Sequence, residues 1–249
     1  MTALVEDHGK VRLITFHRPE KKNAFDMALY EATAHALHAA LEDDAVHAVV
    51  MTGAGDAFSA GQDLQEMAAM SAGGGAIGKR SEFPTFLGVL QSFHKPLLAA
   101  VNGVAVGIGM TMLSFCDLVY VGESARAKVP FVPLGVAPEA ASSVLFPLRM
   151  GWQRAARVLM LGEWVSPAQL VELGLALEVR PDATLLADTL ELAGRIAEGS
   201  LTSLVATKRL MLAADADLIR DARLREDVAF ARLLDMQLPP GHPMAGFET

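Results

Sequence analysis

Cysteine occurs once, at Cys116, which excludes an intrachain disulfide and any thiolate metal cluster assembled within one chain. A reducing compartment, the cytoplasm, is the expected setting. Positive charge is short as well. Lys and Arg number 21 against 29 Asp and Glu, so the clustered cations that grip a phosphate backbone are lacking and no nucleic-acid partner is expected. Long apolar runs are nearly absent. The exception, Pro96 to Cys116, is uncharged throughout, but Asn102, Gly103, Gly107 and Gly109 fit a buried strand, a tight turn and a buried helix better than one membrane span. Glu6, Asp7 and Lys10 break up the start, so neither a secretory leader nor a membrane partner is expected. Several catalytic signatures are missing too. There is no Gly-x-Ser-x-Gly elbow. Gly53, Gly55 and Phe58 approach a dinucleotide fingerprint without its third glycine or an immediate helix. His35 and His38 sit one helical turn apart with no usual third ligand nearby, so no metal is expected.

What remains builds a core. At 52% hydrophobic and 20% charged, the chain can bury a large interior, and 249 residues fit one α/β domain with an appendage as readily as two domains. "KVRLITFHR" reads as a strand buried on one face and partly on the other. From Asp26, a plausible N-cap, Leu29, Thr33, Ala36, Leu37 and Ala40 recur at helical spacing. "AVVMTG", "PLLAAVNG" and "DLVYVG" read as further strands, with "GMTMLSFC" a buried helix between the last two. Strands alternating with helices predict a parallel sheet with crossovers. Gly-rich "SAGGGAIGK" predicts a loop between helices starting near Asp63 and Phe83. Beyond Ser142 the chain turns helical: a capping box at Ser166, Pro167 and Gln169, then patterns over Ala183 to Glu198, Leu201 to Ala213 and Leu218 to Met236, before "QLPPGHP" frays into a tail.

Two glycine-containing turns, "GDAFSAGQDL" and "VNGVAVGIGM", bring small residues to points where helices should begin. Such turns leave backbone N–H groups free, with the positive end of a helix dipole behind them, and a pair of them can hold a developing oxyanion. The same glycines also serve tight turns and close packing. Downstream, "VAPEAASS" places Glu139 among small apolar residues, with no basic side chain between Lys128 and Arg149 to pair it. Two readings fit that acid from the residues alone: a carboxylate at a helix N-terminus, or a base facing a substrate.

"HRPEKKNAF", "VVMTGAGDAFSAGQDL", "KPLLAAVNGVAVGIGMTMLSFCDLVYV" and "AKVPFVPLGVAPEAASSVLFPLRMG" resemble, in order and spacing, the crotonase family, also called the enoyl-CoA hydratase/isomerase superfamily. The likeness is close over roughly the first two-thirds of the chain and looser over the helical remainder. It implies an α/β crotonase-like spiral of ββα turns (1–195) with a C-terminal helical trimerisation region (196–249), assembled as a homotrimer or a dimer of trimers. It implies an acyl-CoA thioester as substrate, with coenzyme A entering as part of that substrate rather than as a cofactor. The thioester oxygen would lie between the backbone N–H groups of Gln62 and Ile108, although Ile108 replaces the family's usual glycine. Coenzyme A contacts would fall on Lys22, Ala24, Ala60, Gly61, Asp63 and Leu64, with Asp63 also a helix cap, and Lys208 or Arg209 could reach a phosphate. Gly73 to Gly75 would border the acyl pocket.

Departures from the family pattern separate its reactions. Where its hydratases carry two glutamates, this chain has Thr111 and Phe131. Glu139 stands where its 3-enoyl-CoA isomerases carry a single catalytic acid. The resemblance therefore implies an enoyl-CoA isomerase with Glu139 as proton shuttle, moving a double bond from position 3 to position 2 in fatty acid metabolism. Hydratase-like chemistry, hydrolysis or dehalogenation with Glu139 as nucleophile, and a catalytically silent acyl-CoA binder are the alternatives. Two Trp and two Tyr leave little for the aromatic pocket a dehalogenase wants.

Overall fold

A computed structural model describes residues 2–63, 65–66 and 82–234. Leu64, the Gly73 to Gly75 loop, the course of the helix expected after Asp63, and the "QLPPGHP" tail lie outside the described residues. β1 (Ala3–His8) and β2 (Val11–Phe16) form an antiparallel hairpin that turns at Gly9, whose φ of 63° suits glycine. β2 then pairs in parallel with β3 (Ala48–Gly53), β3 with β5 (Leu97–Val101), β5 with β7 (Leu118–Gly122) and β7 with β9 (Glu178–Arg180). The resulting sheet has the order β1-β2-β3-β5-β7-β9.

Alternating side chains of these strands enter two cores. Phe16, Val49, Met51, Ala99 and Val101 join the larger one, against α1 (Met27–Glu42) and α2 (Phe83–Ser92). Leu13, Val50, Leu98, Ala100 and Tyr120 form the smaller one, covered by Leu185, Ala193 and Ala197 of α7 (Leu185–Ala197). A strand sheltered on both faces reads as a continuous apolar run, which is why "AVVM" shows no alternation. Val49, Val50 and Met51 are all at 0% exposure, and each contributes about 1.5–3 kcal/mol by leaving water. α1 begins as its sequence predicts, the Asp26 carboxylate accepting from Leu29 N–H at 2.8 Å.

Three strands of three residues each have too little pattern to be read in advance. β4 (Ala57–Ser59), β6 (Val104–Val106) and β8 (Arg126–Lys128) pair in parallel as a second sheet. The chain thus winds as a spiral, each turn passing through the large sheet, bending sharply, and passing through the small one. Two asparagines hold the bends. Asn23 donates to Ala54 O and Ala57 O, and Asn102 donates to Gly53 O and Gly55 O while its side-chain oxygen accepts from Gly53 N–H. Beside Asn102, a Cβ added to Gly103 would lie 2.1 Å from the carbonyl oxygen of Asp56, a backbone atom that cannot swing aside. Gly103→Ala is expected to destabilise the protein by about 3 kcal/mol or more, read as a lower urea midpoint at unchanged slope.

The helix expected at "GMTMLSFC" is shorter and tighter. α3 covers Ile108–Thr111 and gives way to a 3-10 turn over Met112–Phe115. Asp117 explains the compression: its N–H donates to Leu97 O and its carboxylate accepts from Leu97 N–H, so the chain must return to the sheet at a fixed point soon after α3 starts. After β8 come α4 (Ser142–Met150), α5 (Trp152–Leu161), α6 (Pro167–Glu172), with the predicted capping box at Ser166 and Gln169, and then β9, α7, α8 (Leu201–Ala213) and α9 (Ala216–Leu233). α9 lies against α4. Among the described residues, no helix is long and apolar enough to cross a membrane.

Candidate functional site

The parallel strands β4, β6 and β8 point their carboxyl ends the same way, and ligands of parallel sheets gather at such ends. Gln62 follows the end of β4, Ile108 follows the end of β6, and the loop carrying Glu139 follows β8. The register Ser59 to Ala105 and Val106 to Lys128 brings the three exits alongside one another.

At the first exit the chain forms a parallel bridge between Phe25 and Gln62. Gly61 O accepts from Phe25 N–H at 2.7 Å, and Asp63 N–H donates to Phe25 O at 2.8 Å. Because alternate amides of an extended segment face opposite sides, the N–H of Gln62 itself points away from Phe25. At the second exit, Gly107 (φ 52°) donates to Lys128 O, and Ile108 then opens α3 as its first residue, where a helix has no acceptor for its N–H. Among the described residues, neither the Gln62 nor the Ile108 N–H donates to a protein group. The two turns touch through glycine. A Cβ on Gly61 would lie 2.7 Å from Val106 O and 3.8 Å from Gly107 Cα, and one on Gly109 would lie 2.7 Å from Ser59 O. The Ile108 side chain is buried in the core, away from the function its N–H can serve.

At the third exit, Pro130 to Val136 coil through hydrogen bonds such as Val136 N–H to Phe131 O, and the chain reaches Glu139. Ala140 and Ala141 follow with φ of 57° and 55°, a left-handed pair without a glycine. Each such residue costs on the order of 1–3 kcal/mol and persists only where surrounding contacts dictate it. The Glu139 carbonyl accepts from Ser142 N–H and from the Ser142 hydroxyl. Its half-buried carboxyl, among the described residues, takes no hydrogen bond and no ion pair. Burial, reinforced by the charge of Glu226, pushes that carboxyl up to about 8.

The N-terminus of α4, where an acid has a structural use, is already filled by Glu226 of α9. Its carboxylate accepts from Ala141 N–H at 2.7 Å and from Ser143 N–H at 2.9 Å. Of the two readings open for Glu139 in the sequence, the helix-terminal one is therefore occupied by another residue.

Tyr30 of α1 ties the exits together. Its hydroxyl donates to the Gln62 side-chain oxygen at 2.8 Å, and burial, then the charges of Glu139 and Glu66, raise its phenol well above the usual range. A tyrosine on the buried face of a predicted helix needs a partner for its hydroxyl, which is the signal that could have singled it out. Glu226 left no such signal, since an acid within "LREDVAF" reads as a solvated helix face.

The segment Lys22 to Phe25 runs beside Ser59 to Asp63. Ala60 N–H donates to Lys22 O, and the Ser59 hydroxyl donates to Asn23 O. Lys22, Ala24, Ala60, Gly61 and Asp63 are thus gathered at one edge of the site. Lys22 is exposed, with its ammonium 3.3 Å from Asp56. Partial burial works to raise the Asp63 carboxyl, but Arg18 and the N–H groups of Glu66 and Gln65 hold it below the usual range. Lys208 cannot reach a phosphate: its ammonium is buried and donates to Lys95 O and to the Asp117 carboxylate, both at 2.8 Å. Arg209 is exposed beside His94. Thr111 and Phe131 are both buried. Among the described residues, no group of three His, Cys, Asp or Glu side chains could hold a metal ion.

The raised carboxyl has a consequence for stability. In acid both folded and unfolded chains carry the Glu139 proton, and its burial is tolerated. As pH climbs past about 4.5 the unfolded chain releases the proton while the folded chain keeps it up to about 8. The folded state then binds more protons, so stability falls across that interval. The urea midpoint of the wild type should drop from pH 5 to pH 8 relative to Glu139→Gln, which lacks the titrating group; parallel curves would contradict the assignment.

A family model described as enoyl-CoA hydratase/isomerase matches residues 6–233. Enoyl-CoA delta isomerase 2 of Rattus norvegicus is 42% identical over 187 residues, 73% of this chain and 46% of that protein, so the chain spans about half the length of this relative. The 2,3-dehydroadipyl-CoA hydratase of Escherichia coli K12 is 34% identical over 84% of this chain and 80% of its own length. Among solved structures, an enoyl-CoA hydratase/isomerase from Pseudoalteromonas atlantica superposes with a TM-score of 0.88 at 35% identity, covering 94% of this chain and 92% of the other.

Proposed function

The chain belongs to the enoyl-CoA hydratase/isomerase family, and from that premise we propose that it is an enoyl-CoA isomerase moving a double bond from position 3 to position 2 of an acyl-CoA thioester. The observation that carries this reading is the pairing of a half-buried carboxyl that has no structural partner among the described residues with two main-chain N–H groups in adjoining turns.

The thioester oxygen accepts hydrogen bonds from the Gln62 and Ile108 N–H groups. The Glu139 carboxylate removes a proton from the α carbon of a 3-enoyl thioester, and the freed electron pair spreads through the double bond onto that oxygen as a dienolate. Each hydrogen bond to such an oxyanion is worth about 3–4 kcal/mol. Glu139, now protonated, returns the proton to the γ carbon, the oxyanion collapses, and the double bond settles in conjugation with the carbonyl. The same proton leaves and comes back, so the step needs no cofactor. A carboxyl held near 8 is matched to that duty, because efficiency peaks when a base titrates near the working pH.

Relatives named hydratases also match. Hydration needs acids to hold and activate water, and buried Thr111 and Phe131 occupy the positions the resemblance implies for them. Glu66, the other carboxylate that reaches Tyr30 electrostatically, is engaged by Met27 N–H at 3.0 Å. Coenzyme A lies along the edge formed by Lys22, Ala24, Ala60, Gly61 and Asp63. Exposed Leu148, Trp152, Leu210 and Met211 supply apolar surface for assembly into a homotrimer or a dimer of trimers. The cytoplasm suits Cys116, a thiol that burial pushes up to about 12. The test is conversion of 3-hexenoyl-CoA to its conjugated 2-enoyl isomer, followed by the absorbance of the conjugated thioester. Hydration of 2-hexenoyl-CoA without isomerisation of the 3-enoyl compound would overturn the reading.

A further inference from the structure

Glu226 combines features that rarely occur together. It is a carboxylate at 6% exposure, 85 and 83 residues from the groups it binds, and among the described residues it forms no ion pair. An isolated buried charge is expensive unless hydrogen bonds and a favourable dipole offset it. Here the Ala141 and Ser143 N–H groups and the N-terminus of α4 offset part of that cost, while burial, with Asp227 adding to it, still holds the Glu226 carboxyl above its usual range. The residues it grips are the ones that set the direction in which Glu139 leaves the chain, since left-handed Ala140 and Ala141 connect Glu139 to α4.

We infer that Glu226 is a positioning residue for Glu139: it clamps the strained Ala140–Ala141 turn and sets a second negative charge behind the reacting carboxyl. The inference rests on Glu139 being the base of the proposed isomerase. Several groups share that neighbourhood. From α1, Tyr30 faces Glu139 while donating to Gln62, and Glu66 reaches Tyr30. On α9 itself, Asp227 adds negative charge near Glu226, and Arg223, whose guanidinium donates to Gln91 and Pro84 of α2, lies close enough to act on Glu226 as a cation. Among the groups acting on Glu139, like charge from Glu226 is the one that one substitution can remove. A structural cap alone would hold the turn and leave the basicity of Glu139 unchanged.

Glu226→Gln removes the charge and keeps one acceptor, so it separates the two effects. The Glu139 carboxyl, followed by carbon-13 NMR in the free protein with Glu139→Gln fixing the assignment, should titrate lower in the variant by about one pH unit or more. The acid limb of kcat/KM for 3-hexenoyl-CoA should move the same way, and kcat on the plateau should fall about 10- to 100-fold with KM nearly unchanged. Glu226→Asp keeps the charge but reaches only one of the two N–H groups; its plateau should fall while its limb stays high. That variant also carries the test if Glu226→Gln does not fold. An unmoved Glu139 titration in Glu226→Gln, or a full wild-type plateau in both variants, would overturn the inference. If the wild type isomerises nothing yet the titration still moves, the isomerase reading fails and the clamp stands.

Discussion

Glu139→Gln should lower kcat by about 10³- to 10⁴-fold while leaving binding of acyl-CoA thioesters nearly intact. The size follows from the division of labour at the site. In the proposed isomerase, two main-chain N–H groups stabilise the dienolate, but neither can move a proton, and Thr111 and Phe131 offer no substitute base. Glutamine has almost the shape of glutamate and no basicity, and since the Glu139 carboxyl makes no hydrogen bond or ion pair among the described residues, the exchange breaks nothing structural. Glu139→Asp should be milder, about 100-fold, because its carboxylate remains basic and falls short of the substrate by one methylene. The measurement is the rate of conjugation of 3-hexenoyl-CoA beside calorimetric binding of a saturated thioester. Turnover retained in the glutamine variant would remove Glu139 as the base. Thioester binding by wild type and variant, with conversion by neither, would mark the chain as a silent binder.

Gly61→Ala is the second large effect. Gly61 has φ of 93°, and its added Cβ would lie 2.7 Å from Val106 O. Relief requires the first turn to swing away from the second, carrying the Gln62 N–H with it. Loss of one such donor lowers kcat about 10²- to 10³-fold. Gln62→Ala is the contrasting variant. It deletes the partner of the Tyr30 hydroxyl but keeps the peptide N–H, so kcat should stay within about tenfold of the wild type. If Gln62→Ala were the more damaging of the two, the side chain rather than the main chain would be binding the thioester.

Long apolar strands, the Asp26 cap and the Ser166 capping box were legible because each is a local pattern of residue types. The small sheet was not, since three residues carry no period, and the spiral entered through resemblance alone. The two glycine turns could be read as exposing N–H groups because two of them recur ahead of an unpaired acid, although close packing alone would also call for those glycines. Isoleucine at 108 conceals its N–H from any reading based on side chains, and the family likeness was needed to find it. Glu139 declared itself by the absence of a cation over a long stretch of chain. Glu226 and Asp117 did not, as their partners lie 85 and 20 residues away and nothing local distinguishes them from ordinary acids. Lys208 shows the opposite failure: a lysine on a helix looked free and is sealed beneath Asp117.

The exits of β4, β6 and β8 divide the chemistry unequally. Two of the three groups belong to peptide bonds, which no exchange of side chains can delete unless it also distorts a turn. The third is one codon on a loop whose course is dictated by helices elsewhere. If the proposed site is the active one, heritable change can retune what happens to an activated thioester while the apparatus that activates it passes unaltered to descendants, and new reactivity on this scaffold calls for rewriting a loop rather than a fold.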